Sequence, residues 1–145
     1  MIFVSDVAEQ AAATAARLGL TADSVVAEFG YDDDVDFDLR DAIEELTNNE
    51  LLDEDTDEVL DAVLLWWRDG DGDLTDALVD AVTPLASTGS VWVLTPKTSH
   101  SGFVEPSDVT EAAQIAGLSS TSSFAAGPGW TATRLVRPKS EKSRR

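Results

Sequence analysis

Short apolar runs alternate with capped amphipathic segments along this chain, and that alternation limits its fold more than any other feature. Val91-Trp92-Val93-Leu94, bounded by Gly89 and Pro96, is the firmest strand. The firmest helix precedes it. Asp73 stands at the N-cap and Asp76 at the capping-box position, and Leu74, Ala77, Leu78, Ala81, Val82 and Leu85 recur at helical spacing. Further strands are expected at Val25–Phe29, Ser120–Ala126 and Thr131–Val136, the last two joined by the turn Gly127-Pro128-Gly129 into an antiparallel hairpin. Ala62–Trp67 reads equally as a buried strand or as the end of a helix capped near Asp55 or Thr56, because so short an apolar run carries no decisive period.

Three more helices complete the pattern. One is capped by Ser5 and ends at Gly19, with a thin stripe of Ala8, Ala11, Ala12 and Ala15 that predicts weak docking of residues 1–19. A second spans about Asp38 to Thr47 on Leu39, Ala42, Ile43 and Leu46. The last starts near Pro106 and stops at Gly117. Strand and helix in turn predict an α/β fold with parallel central strands, as one domain over residues 1–136. Residues 137–145 are polar and basic with no apolar anchor, and predict a disordered tail.

Charge narrows the function. The chain has 145 residues and a net charge of -18; residues 1–96 hold 24 Asp and Glu against three Lys and Arg. Such a surface disfavours nucleic acid, whose phosphates need a cationic surplus. No apolar stretch is long enough to span a membrane, and the N-terminal Met1-Ile2-Phe3-Val4 is too short for a signal-peptide core, which predicts a cytoplasmic protein. With no cysteine, disulfides, thiolate zinc sites and Cys nucleophiles are excluded.

Asp61–Val136 resembles the second half of a methyltransferase-like Rossmann fold. Asp61-Ala62-Val63-Leu64-Leu65 looks like its fourth strand and Gly89-Ser90-Val91-Trp92-Val93-Leu94 like its fifth, followed by a helix, a strand, a turn and a reversed strand. More narrowly, Glu28-Phe29-Gly30, Asp32-Asp33-Asp34-Val35-Asp36, Leu64-Leu65-Trp66-Trp67-Arg68, Leu94-Thr95-Pro96-Lys97 and Val104-Glu105-Pro106-Ser107-Asp108 resemble a bacterial family of unknown function, the domain-of-unknown-function family numbered thirty fifty-two. The resemblance implies a truncated, Rossmann-like, mostly parallel sheet with a C-terminal antiparallel hairpin. It implies no activity. Where such enzymes place a glycine-rich turn after the first strand, this chain has Gly30-Tyr31-Asp32-Asp33-Asp34, and Glu50 to Asp61 is too short for the usual two further strands and a helix. No cofactor is expected.

The acidic runs read as structure before metal sites. Asp69-Gly70-Asp71-Gly72-Asp73 opens like a calcium loop, yet Leu74 stands where glycine is needed and Asp80 where a bidentate Glu is needed. Asp32 to Asp38 suits a solvated loop feeding a helix N-terminus better than a magnesium site. His100 is the sole histidine and lies in a polar loop, so no catalytic residue is assigned. Loops after parallel strands gather at the strands' carboxyl ends, where α/β folds bind ligands. Gly30, Tyr31, Asp32, Asp33, Asp34, Trp66, Trp67, Arg68, Lys97 and His100 are therefore expected to form one rim, with Trp66 or Trp67 as an anchor for a protein partner and Trp130 a further exposed candidate. The alternatives are a small ligand- or cofactor-binding enzyme at that rim and an acidic divalent-cation binder.

Overall fold

The computed structural model describes residues 6–138. Four helices and five strands follow one another as α1 (Asp6–Arg17), β1 (Val26–Phe29), α2 (Phe37–Thr47), β2 (Leu60–Trp66), α3 (Leu74–Val82), β3 (Leu85–Pro96), α4 (Pro106–Ile115), β4 (Ser119–Ala125) and β5 (Trp130–Val136). The ambiguous run is a strand. β2 pairs in parallel with β1 on one side and β3 on the other, so its continuous apolar sequence faces a helix layer on each face. The sheet order is β1-β2-β3-β5-β4, with β5 antiparallel between β3 and β4. It is an α/β, Rossmann-like sheet, mostly parallel, closed by an antiparallel hairpin.

Side chains at the helix starts set their bounds, Asp73 as expected and Asp36 in addition. Asp36 caps α2, its Oδ1 accepting from the Leu39 N–H at 3.0 Å, and Asp73 caps α3 through the Asp76 N–H at 3.2 Å. Pro106 opens α4, whose N-cap Glu105 makes no side-chain capping bond. The Ser5 cap lies outside the described residues. Leu85, placed by periodicity at the end of a helix, instead begins β3, because α3 closes at Val82.

Two apolar layers sandwich the sheet. Val26, Ala62, Leu64, Trp66, Trp92 and Leu94 face α1 and α2. Ala27, Phe29, Val63, Leu65, Val91 and Val93 face α3 and α4. This arrangement poses a handedness problem. β1 to β2 and β2 to β3 step the same way across the sheet, and two right-handed crossovers in one direction place their helices on the same face. Here α2 and α3 lie on opposite faces. Leu52 resolves it. After α2 the chain passes the outer edge of β1, where Leu52 forms a parallel bridge with Ala27, accepting from the Glu28 N–H and donating to the Val26 carbonyl. The chain then steps outward through α2 and returns inward over the other face. The short segment Glu50-Leu51-Leu52 thus carries the topology.

Both ends hold more firmly than their composition suggests. The α1 stripe is Ala11, Thr14, Ala15 and Leu18, with Ala12 exposed. The helix is tied down by a hydrogen bond from Trp92 Nε1 to the Leu18 carbonyl at 3.1 Å and by the Arg17 guanidinium 3.9 Å from the Phe124 ring centre. These contacts seat the described part of that segment on the sheet. Arg137, assigned to the tail, donates to the carbonyls of Val82, Leu85 and Ala86 at 2.9–3.2 Å, because the end of α3 leaves acceptors unpaired. Residues 139–145 lie outside the described residues. Among the described residues no helix is long and apolar enough to cross a membrane.

Candidate functional site

The carboxyl ends of β1 and β2 form a crevice, and the chain's own atoms fill it. β1 ends at Phe29, and Gly30 turns the chain with φ +76°. A Cβ at Gly30 would strike the Trp66 carbonyl oxygen, so the glycine allows the loop to lie on the backbone of β2. Arg68, two residues beyond β2, lays its guanidinium across the gap. Its Nη1 donates to the Gly30 carbonyl at 2.8 Å and the Trp66 carbonyl at 3.2 Å. Its Nε and Nη2 grip Asp34 at 3.0 and 2.5 Å, and Asp71 accepts from its Nη1 at 3.3 Å and its backbone N–H at 3.0 Å. Only 13% of the Arg68 side chain is exposed. Burial alone would lower its pKa, yet the Asp34 and Asp71 carboxylates carry it above its ordinary value. The Arg68 hydrogen bond in turn holds the Asp34 carboxyl below its ordinary 3.8.

A second buried network sits beneath the rim, on the α2 side. Glu28, buried in the middle of β1, receives Arg40 through Nε at 2.6 Å and Nη2 at 2.9 Å, and Trp66 Nε1 at 2.9 Å. The Glu28 hydrogen bond raises the Arg40 pKa. Above it Arg40 stacks 4.9 Å from the Tyr31 ring and 5.7 Å from the Phe37 ring, both of which stay about half exposed. Sequence reasoning missed Glu28, Arg40 and Phe37. The available signal was a lone carboxylate inside the apolar run Val25-Val26-Ala27-Glu28-Phe29, which demands a partner when buried.

The expected rim assembles in part. Arg68 joins the loop of Gly30 and Asp34 to the loop of Asp71, and Asp69 N–H donates to the Gly102 carbonyl at 2.9 Å, which brings in the third loop. Asp32 and Asp33 are exposed at the tip, the Asp32 carboxylate accepting from the Asp33 N–H. Lys97 and His100 do not converge on the Arg68 crevice. Lys97 N–H bonds to the Gly129 carbonyl and His100 N–H to the Lys97 carbonyl, so this half of the loop lies on the hairpin turn, while Gly102 in its other half packs against Arg68. Trp66 is fully buried and Trp130 is 6% exposed, packed edge-to-face at 4.8 Å, so neither serves as a surface anchor. Both lie on the α2 face, which the helices cover. Trp67 is half-buried on the α3 face.

Beside the filled crevice, on the α3 face, lies an open cleft of about 700 Å³. It runs from Gly30 and Arg68 along α3 to Thr83 and Pro84, with the segment at Glu54–Thr56 as its outer wall. Its carboxylates do not gather into a metal centre: no group of three or more His, Cys, Asp or Glu with that geometry occurs among the described residues. Asp71 serves Arg68 and Asp73 caps α3, which accounts for two of the carboxylates in the calcium-like run.

The sheet order, with one reversed strand inside its far edge, defines a methyltransferase-like Rossmann fold. Solved structures agree on the fold. A SAM-dependent methyltransferase from Aquifex aeolicus superposes with a TM-score of 0.56 at 12% identity, covering 86% of this chain and 88% of that one. A TehB-like SAM-dependent methyltransferase from Corynebacterium glutamicum gives 0.54 at 11% identity, covering 88% of each. The mitomycin 7-O-methyltransferase MmcR gives 0.55 at 15% identity; 90% of this chain matches, over 54% of that larger one. Within this fold the chain belongs to the family described as protein of unknown function (DUF3052), which it matches over residues 15–139. Uncharacterized proteins of Mycobacterium tuberculosis and Mycobacterium bovis are 55% identical over 138 residues, 95% of this chain and 87% of theirs. In this chain the Arg68 guanidinium and the Trp66 carbonyl fill the gap between the ends of β1 and β2, beside the open cleft.

Proposed function

We propose that this chain is a non-catalytic interaction protein on a degenerate methyltransferase-like scaffold, contacting a protein partner through the rim at the carboxyl ends of β1 to β3. The observation that carries this reading is the Arg68 plug: a guanidinium with 13% of its side chain exposed, bonded to both strand ends, stands where a ligand would enter. A bound substrate would have to displace its ion pairs with Asp34 and Asp71. The half-exposed Tyr31 and Phe37, held by Arg40, supply an aromatic contact of the kind that dominates protein interfaces. They replace Trp66 as anchors, with Trp67 a lesser contributor.

Two measurements test the proposal. Calorimetry with S-adenosylmethionine is expected to give no saturable heat. Affinity capture from a native lysate is expected to retain a specific partner that Tyr31→Ala with Phe37→Ala loses, circular dichroism showing both proteins folded. A saturable cofactor isotherm, or capture indifferent to the aromatic pair, would count against it. The alternative of a small ligand-binding enzyme draws its support from the open cleft beside Gly30. Turnover or tight binding of a metabolite, lost on filling that cleft with Ala77→Trp, would establish it instead.

A further inference from the structure

We infer that the cleft between β1, the Glu54–Thr56 segment and α3 seats a Lys- and Arg-bearing segment of the partner protein. The inference rests on the partner reading above and names that partner's chemistry. α/β sheets of this kind carry helices on both faces. On the α1–α2 face the helices seal β1 and β2. On the other face the return from Leu52 to β2 is irregular, with no helix, so the sheet beside α3 stays open over about 700 Å³. Phe29, Leu65 and Trp67 lie at its apolar base.

Charge selects the occupant. Asp32, Glu54, Asp55, Asp71 and Asp80 line the cleft and are exposed, and the one cation among the lining residues, Arg68, is engaged by Asp34 and Asp71. At the far end, next to Thr83 and Pro84, the C-terminus of α3 already holds the Arg137 guanidinium on the Val82 and Leu85 carbonyls, so the pull on a further cation comes from the carboxylates. Lys and Arg lay their aliphatic stems on apolar surface while their heads reach carboxylates, and a guanidinium stacks well on an indole such as Trp67. The chain's net charge of -18 steers a basic segment inward and turns an acidic one away.

The probe is a capped peptide of four Arg-Leu repeats, titrated by calorimetry at physiological salt, where the Debye length is about 8 Å and distant charges are screened. The expected result is saturable binding that Asp55→Lys with Asp80→Lys weakens by about tenfold or more. The same charge change on the opposite face, Asp41→Lys with Glu45→Lys, is expected to weaken it less than about threefold. Equal losses from the two pairs would reduce the attraction to net charge and overturn the inference, as would the absence of saturation. Displacement of the peptide by spermine at equal charge concentration would overturn it in favour of a small polyamine. If wild type and the Asp55/Asp80 pair capture the partner alike in lysate, this inference fails while the partner reading stands. Peptide binding at the cleft with no loss of partner on Tyr31→Ala/Phe37→Ala separates the two in the other direction.

Discussion

Gly30 and Gly70 both have positive φ, yet they answer different constraints. Gly70 (φ +97°) has nothing within 4 Å of where a Cβ would stand, whereas the same atom at Gly30 meets the Trp66 carbonyl. Gly70→Ala is expected to cost about 1 kcal/mol of left-handed strain. Gly30→Ala should cost about 2–3 kcal/mol, because the strain is joined by a contact that backbone must move to relieve. Urea denaturation of the two variants reads the difference; equal losses would mean that the β1–α2 loop shifts freely and that the crevice is not closed as described. Gly30 was legible as a special position in the sequence, but its reason was not. A glycine after a first strand suggests room for a ligand, and only the register of β1 against β2 shows that the room goes to the protein's own carbonyl.

At the level of elements, the loops after β1 and β2 are joined chiefly by charge. Asp34 and Arg68 lie 34 residues apart, and Asp34 has its carboxyl lowered by the Arg68 hydrogen bond. A carboxyl with a depressed folded pKa contributes stability that is present above its unfolded value and lost as pH falls through the folded one. Asp34→Asn is therefore expected to lower the melting temperature at pH 6. That difference from wild type should shrink below about pH 4, as the carboxyl is protonated in both states. A difference that persists undiminished at pH 2 would show that packing, and not the ion pair, joins the loops. Asp34 is about half exposed, so the effect is a modest one. Sequence reading placed both residues at the rim from strand ends alone; that they meet each other and not a ligand depends on which way the Arg68 side chain turns.

Across the whole molecule the dominant fact is self-repulsion. Residues 1–96, with 24 acidic and three basic residues, build α1, α2, α3 and the β1 edge, while the β4–β5 hairpin belongs to the part with a slight cationic excess. Raising monovalent salt from 0.01 to 0.1 M shortens the Debye length from about 30 to about 10 Å and is expected to raise the melting temperature. Each kcal/mol of repulsion relieved corresponds to about 3 °C for a chain of this size. A flat melting temperature over that range would mean that the acidic loops are already compensated locally, as Asp34, Asp36, Asp71 and Asp73 are.

The sequence by itself determined most of the elements, the Asp73 cap and the alternation that leads to a parallel sheet, because helix stripes, Asp caps and apolar strand runs are local or short-period signals. It also led to the expectation that the loops after the parallel strands gather at one end, of which the Arg68 contacts join those of Gly30, Asp34 and Asp71. Tertiary structure alone decided what the rim contains. Whether Ala62–Trp67 is helix or strand is settled by β1 and β3 pairing on its two sides. The burial of Trp66 and Trp130 follows from which face α2 covers, and the Glu28–Arg40 pair joins a strand to the following helix through a face that no single-segment period reports. Most of all, the topology turns on one residue: Leu52 bridges the outer edge of β1 and allows helices on both faces without a left-handed crossover. A single bridge has no period and no composition, so only the folded chain displays it.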